Sequence, residues 1–168
     1  MKERQRDRVV GIALSGGAAR CIGQIGVLET LEKAGIQIDA VAGTSGGAFV
    51  GALYASGQVS IPEMRRLARG IKWRHVVRPN LSKKGIISSE KIYHYVRDVL
   101  NDMTFEDLKI PLAVVASDLR SGDKVVITEG SVARAVQASC SLPVVFTPTS
   151  LNGQVLIDGG AASQLPVL

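Results

Sequence analysis

A serine flanked by glycines is the first group in this chain that could do covalent chemistry. It stands in Gly43–Gly47 (GTSGG), after a short apolar run and before a segment rich in glycine and alanine. Such a Gly-x-Ser-x-Gly turn between a strand and a helix is typical of a nucleophile elbow. The hydroxyl of Ser45 would then project at a helix start, where free N–H groups and the helix dipole stabilise negative charge. The same residues also fit a tight turn with a capping serine.

A serine nucleophile needs a group that takes its proton. In the α/β-hydrolase order the histidine follows the acid, but the two histidines, His75 and His94, both precede Asp158. Asp158 ends an apolar run and is followed by Gly159 and Gly160, which let other backbone come close. A carboxylate shielded from water there could have a raised pKa and act directly as the base. Taken alone, however, Asp158 is better explained as the opening residue of a Gly-Gly turn.

A second glycine-rich loop, Ser15–Arg20 (SGGAAR), follows the first apolar run of the chain. Gly16 and Gly17 let the backbone turn its N–H groups into a site, and each donor to an oxyanion contributes about 3–4 kcal/mol. The loop lacks the Gly-x-Gly-x-x-Gly fingerprint of dinucleotide sites and the terminal Gly-Lys-Ser/Thr of phosphate loops. The sequence therefore favours an oxyanion loop over nucleotide binding.

Strands and helices alternate along the chain and would position these three loops. Apolar runs predict strands at 8–14, 39–42, 112–117, 125–128, 144–147 and 155–157. Helical spacing predicts helices at 21–34, 46–56, 61–69, 89–100 and 131–139. This alternation predicts an α/β fold, a mostly parallel central sheet with helices on both faces. Sites in such sheets form at the carboxyl ends of the strands, so we expect the three glycine loops to meet at one edge.

The composition indicates one domain, 1–168, with a disordered basic and polar N-terminus at 1–7. The chain has 168 residues, 46% of them hydrophobic and only 4% aromatic, so its core is aliphatic.

Two cysteines and the lack of a clear export signal favour a reduced, cytoplasmic protein. The uncharged stretch 40–62 is long enough to test as a membrane span, but its glycines and polar residues favour a buried strand, turn and helix.

The net charge of +5 fits an anionic partner. Six basic residues and no acidic one lie between Arg69 and Lys84. This basic stretch fits contact with an anionic membrane at its periphery, a mobile lid over the site, or a solvated loop, and the sequence leaves the three open. Nucleic-acid binding is not expected, because the chain has no recognisable nucleic-acid module.

Taken together, these motifs resemble the patatin-like phospholipase family. That family has, in this order, a glycine-rich oxyanion loop, a Gly-x-Ser-x-Gly elbow and an Asp-Gly-Gly/Ala motif. The corresponding residues here are Ser15–Cys21 (SGGAARC), Gly43–Gly47 (GTSGG) and Asp158–Gly160 (DGG). The segments between them, IGVLETLEKAGI, TFEDLKIPLAVVASDLRSG and ASCSLPVVFTP, also look like bacterial members. The resemblance covers about 8–166.

The resemblance implies a Ser–Asp dyad that needs no metal or cofactor. Ser45 matches the nucleophile, Asp158 the base, and the backbone of Gly16–Ala18 the oxyanion hole. Arg20 matches the basic residue of the loop, which would shape the loop or contact an anionic head group.

The expected activity is hydrolysis of lipid acyl esters through an acyl-enzyme, of phospholipase A or lysophospholipase type. The alternative is a non-catalytic lipid-binding or regulatory protein on the same fold, and the oligomeric state is left open. The chain stops at QLPVL, where relatives continue with another helix and strand, so we expect a sheet that lacks its C-terminal edge elements. Either the chain is a fragment or a partner chain covers that edge.

Overall fold

The computed structural model describes residues 9–70 and 87–167, and six strands lie in one mixed sheet within them. The strands are β1 (Gly11–Leu14), β2 (Ala40–Thr44), β3 (Leu112–Asp118), β4 (Lys124–Ile127), β5 (Thr149–Leu151) and β6 (Gln154–Asp158). β1, β2 and β3 pair in parallel, β4 and β6 are antiparallel to β3, and β5 is antiparallel to β6. Four of these strands, β1, β2, β3 and β5, therefore run in one direction. The predicted α/β fold with a mostly parallel sheet is confirmed.

Five α-helices accompany the sheet in the described part of the chain. They are α1 (Ile22–Lys33), α2 (Gly46–Ser56), α3 (Ile61–Gly70), α4 (Glu90–Leu100) and α5 (Val132–Ser139). α2 packs against β2 and β3, and α5 packs against β3, β6 and α2. Small residues let α2 approach closely, since a Cβ at Gly51 would lie 3.0 Å from Val41 Cγ1. Val114 and Val136, fully buried, belong to the core between these layers.

The pairing of β3 explains how two distant loops meet. β2 and β4 both pair with Val115, so they lie on opposite edges of β3. β4 and β6 both pair with Ala116, so they also lie on opposite edges. β2 and β6 therefore share one edge of β3 and run towards each other. Their last residues, Thr44 and Asp158, sit opposite the adjacent residues Val115 and Ala116.

This arrangement differs from the expected one at the last strands. The strand predicted at Val144–Thr147 is wrong: Val144 has φ 71° and is 87% exposed in a turn. The strand in this region is β5, joined to β6 by a tight turn at Asn152 and Gly153, both of which have positive φ. An Asn-Gly pair between two strands is a strong hairpin signal. This pair, and not the apolar run at 144–147, marks the strands of this region.

Most predicted helix limits agree with the structure. α2 spans the predicted residues, and Gly57 ends it with φ 61°. Gly35 follows α1 with φ 71°, as expected of a glycine that stops a helix. A capping box joins Thr104 and Asp107 at the start of a short 3₁₀ turn.

Some predictions fall outside the described residues. These are the N-terminus at 1–7, His75, and the basic stretch from 71 onwards. Within 9–70 and 87–167, no helix combines the length and the apolar character that crossing a bilayer requires.

Candidate active site

Ser45 lies at the sharp junction between β2 and α2. Its φ of 52° and ψ of −122° lie in a sparsely populated positive-φ region that costs a non-glycine residue about 1–3 kcal/mol. Close backbone packing holds the turn in this shape. A Cβ at Gly43 would come within 2.6 Å of Ala48 Cα, and one at Gly47 within 2.2 Å of the Leu14 carbonyl oxygen. Any side chain at these two positions would clash, which explains why both are glycine.

Asp158 meets Ser45 directly. The Ser45 hydroxyl donates a 2.6 Å hydrogen bond to Asp158 Oδ2, although the two residues are 113 positions apart. The other carboxylate oxygen, Oδ1, accepts the backbone N–H of Gly160 at 2.8 Å. One oxygen therefore fixes the orientation of the side chain and leaves the other facing the serine.

The surroundings of Asp158 change its acidity. The side chain is only 6% exposed, and this burial raises the pKa of the carboxyl group above its usual value. The hydrogen bonds from Ser45 and Gly160 oppose the rise because they stabilise the charged form. The pKa is raised on balance, so the carboxylate binds a proton more readily than an exposed aspartate, as a general base requires.

The glycine-rich loop after β1 lies beside the elbow, but one of its expected donors is occupied. The backbone N–H of Gly16 donates to the carbonyl oxygen of Gln164 at 2.9 Å. Gly16 therefore joins the loop to the segment after β6 and cannot bind an oxyanion in this conformation. The N–H of Gly17 donates to no other residue in the described part of the chain. The loop's remaining candidate donors to an oxyanion are the backbone N–H groups of Gly17 and Ala18. Ala18 is the first residue of a 3₁₀ turn, Ala18–Cys21.

A tripeptide at the end of α5, Ser139–Ser141, contacts both members of the pair. The hydroxyl of Ser139 accepts the backbone N–H of Ser45 at 2.7 Å. The carbonyl oxygen of Ser141 accepts the backbone N–H of Asp158 at 2.9 Å. The sequence analysis missed these roles. The only available signal was the segment ASCSLPVVFTP, which had carried the family resemblance without a function.

The two cysteines, Cys21 and Cys140, both have raised thiol pKa values. Cys140 directly follows Ser139, whose hydroxyl accepts the Ser45 N–H. Burial, and to a smaller extent the charge of Asp158, raises the pKa of the Cys140 thiol. Burial also raises the pKa of Cys21 to about 11. Because the thiolate is the reactive form, a raised pKa makes each cysteine a poor nucleophile at neutral pH.

His94, the other candidate base in the described part of the chain, lies on a different element from Ser45 and Asp158. His94 is exposed on α4, and its ring centroid is 5.1 Å from that of Tyr93. No histidine within 9–70 and 87–167 hydrogen-bonds to the serine or the aspartate. The same residues contain no group of three His, Cys, Asp or Glu side chains placed to hold a metal ion. Arg20 is exposed at the end of the glycine-rich loop.

Comparison with known proteins supplies a family. The sequence profile described as patatin-like phospholipase matches residues 12–168. An uncharacterised NTE family protein of Mycobacterium tuberculosis is 37% identical over 161 residues, 94% of this chain and 44% of that protein. The lysophospholipase NTE1 of Phaeosphaeria nodorum is 33% identical over 163 residues, 94% of this chain and 11% of that protein. The chain thus spans less than half the length of these relatives.

Two solved structures share the fold. VipD from Legionella pneumophila superposes with a TM-score of 0.71 at 17% identity, over 95% of this chain and 47% of that one. The complex of SpcU with ExoU from Pseudomonas aeruginosa contains a chain that matches with a TM-score of 0.62 at 18% identity. That match covers 83% of this chain and 39% of the other.

Proposed function

Because this chain belongs to the patatin-like phospholipase family, we propose that it hydrolyses lipid acyl esters, as a phospholipase A or lysophospholipase. The observation that carries the proposal is the 2.6 Å hydrogen bond from the strained Ser45 to the buried Asp158. The relative named lysophospholipase supports this substrate class. Head group and acyl position are left open.

In the first half of the reaction, Ser45 Oγ attacks the ester carbonyl carbon while its proton passes to Asp158 Oδ2. The carbonyl oxygen becomes an oxyanion, which the N–H groups of Gly17 and Ala18 and the first free N–H groups of α2 stabilise. The carbon–oxygen bond to the alcohol then breaks, and the alcohol leaves with the proton from Asp158. The acyl group remains on Ser45.

In the second half, water cleaves the acyl-enzyme. Asp158 takes a proton from the water as the hydroxide oxygen bonds to the acyl carbon. The bond to Ser45 Oγ breaks, the proton returns to Oγ, and the free acid leaves. The raised pKa of Asp158 favours its uptake of a proton, from Ser45 in the first half and from water in the second.

Contact with a lipid surface belongs to the same proposal. Leu142 and Val144 follow directly after Ser141, the residue that holds Asp158, and are 48% and 87% exposed. Apolar side chains beside the site suit a substrate that is drawn from a membrane. A peripheral position at a membrane would bring such substrates to Ser45.

The test is hydrolysis of a short p-nitrophenyl ester by the purified chain and its variants. We expect Ser45→Ala and Asp158→Asn to lose at least about 1,000-fold in kcat, since each removes a group that acts in every turnover. His75→Ala and His94→Ala should keep nearly normal rates. Equal activity in wild type and Ser45→Ala would refute the nucleophile. A folded but inactive wild type would favour the lipid-binding alternative, and loss of activity with either histidine would refute the dyad.

A further inference from the structure

We propose that Ser139 is a positioning residue whose buried hydroxyl holds the elbow of Ser45 in its reactive shape. This inference rests on the proposed function, because it assumes that Ser45 is the nucleophile. Ser139 is the last residue of α5, 94 positions after Ser45 in the sequence.

The hydroxyl of Ser139 has a fixed orientation. It accepts the Ser45 backbone N–H at 2.7 Å and donates to the Val115 carbonyl oxygen at 2.6 Å. The residue is fully buried. With its donor used and an acceptor site filled by short bonds, the hydroxyl cannot rotate without leaving a polar group unpaired.

The Val115 carbonyl lies where the two halves of the site meet. Val115 pairs with Thr44, the residue before Ser45. A Cβ added to Gly159, the residue after Asp158, would lie 2.1 Å from the same carbonyl oxygen. The Ser139 hydroxyl therefore joins the backbone of Ser45 to the point of β3 against which the aspartate loop packs.

This link matters for reactivity because the conformation of Ser45 is strained. At φ 52° the backbone is held in place by its surroundings, and loss of a partner lets it relax. Removal of the Ser139 hydroxyl would leave the Ser45 N–H without its acceptor. Relaxation would lengthen the 2.6 Å bond to Asp158 and turn Ser45 Oγ away from its line of attack. A misplacement of about 1 Å costs about 100-fold in rate.

Ser56, near the other end of α2, offers a matched control. Its hydroxyl donates to the Leu53 carbonyl oxygen at 2.7 Å and accepts the Gln58 N–H at 3.2 Å. It is also fully buried. Ser56→Ala thus removes one donated and one accepted hydrogen bond, as Ser139→Ala does, but away from the elbow.

The experiment compares wild type, Ser139→Ala, Ser139→Cys and Ser56→Ala. Intact-mass spectrometry follows the phosphonylation of Ser45 by an alkyl fluorophosphonate, and ester hydrolysis gives kcat and KM. Both alanine variants should lower the Tm. We expect Ser139→Ala alone to lower the phosphonylation rate and kcat by about 10- to 100-fold with KM little changed. Ser139→Cys should recover part of the rate, because its sulfur is a weak donor and acceptor.

The outcomes separate the two proposals. A wild type that is not phosphonylated would refute the nucleophile itself. A reactive wild type with Ser139→Ala as fast as Ser56→Ala would overturn only the positioning role. If Ser139→Ala does not fold, Ser139→Cys decides, and a rate equal to that of Ser56→Ala would overturn the proposal.

Discussion

The serine half and the aspartate half of this site are built in different ways. Ser45 stands inside a continuous strand–turn–helix unit from Ala40 to Ser56. Asp158 arrives at the end of a hairpin that pairs antiparallel to β3. The serine costs stability through its backbone, at φ 52°, and the aspartate costs stability through the burial of its charge. A reactive site can therefore combine one locally strained group with one electrostatically unfavourable group.

The two halves share one device, a glycine pressed against a strand carbonyl. Gly47 lies against the Leu14 oxygen, and Gly159 lies against the Val115 oxygen. These contacts bring the loops together more tightly than any side chain would permit. They offer the first way to compare the halves by experiment.

The largest expected effect comes from adding a methyl group at either contact. In Gly47→Ala and Gly159→Ala the new Cβ would lie 2.2 Å and 2.1 Å from a carbonyl oxygen, so backbone must move. We expect each to lower the free energy of unfolding by at least about 3 kcal/mol in urea titrations. Gly26→Ala on α1, where no atom lies within 4 Å, should gain up to about 1 kcal/mol. If only one of the first two is destabilised, the halves are not held by the same device.

A smaller effect isolates the strain in the serine half. Ser45→Gly and Ser45→Ala both remove the hydroxyl and its bond to Asp158, so they control for each other. Glycine adopts positive φ freely, whereas alanine in so sparsely populated a region bears a penalty of about 1–3 kcal/mol. After the entropy that glycine loses on folding, we expect Ser45→Gly to be the more stable by about 1 kcal/mol. A Tm of Ser45→Gly below that of Ser45→Ala would mean that the elbow is not strained, since only the entropy cost of glycine would then remain.

The smallest effect concerns the charge in the aspartate half. Because burial raises the pKa of Asp158 in the folded state, the folded protein binds this proton more tightly than the unfolded chain does. Its ionised form therefore destabilises the protein at neutral pH. We expect Asp158→Asn to raise the Tm at pH 7 while it abolishes hydrolysis.

The pH dependence gives the check. The advantage of Asp158→Asn should shrink as the pH falls through the raised pKa towards the unfolded value of about 3.9, because wild-type Asp158 then takes up its proton. Glu129→Gln, the same change of charge at an exposed position, should have little effect. A Tm difference that stays constant with pH would show that the charge is not the cause.

Features that depend on neighbouring residues were predicted correctly from the sequence, and features that depend on distant residues were not. The limits of α2 were predicted to the residue, because Gly57 and the elbow glycines act on their immediate neighbours. The strand at Val144–Thr147 was wrong, because an apolar run does not reveal whether a partner strand lies beside it. Gly16 was expected to offer a free donor, but Gln164, far along the chain, takes its N–H.

The sequence by itself determined the family, the α/β class and the local shape of the elbow. These follow from the order of three motifs and from turn chemistry within a few residues. Only the tertiary structure decided that β6 runs towards β2 along one edge of β3, that Ser139 accepts the Ser45 N–H, and that Gly16 is occupied. The physical reason is that hydrogen bonds between distant segments depend on strand pairing and packing, which short-range patterns do not encode.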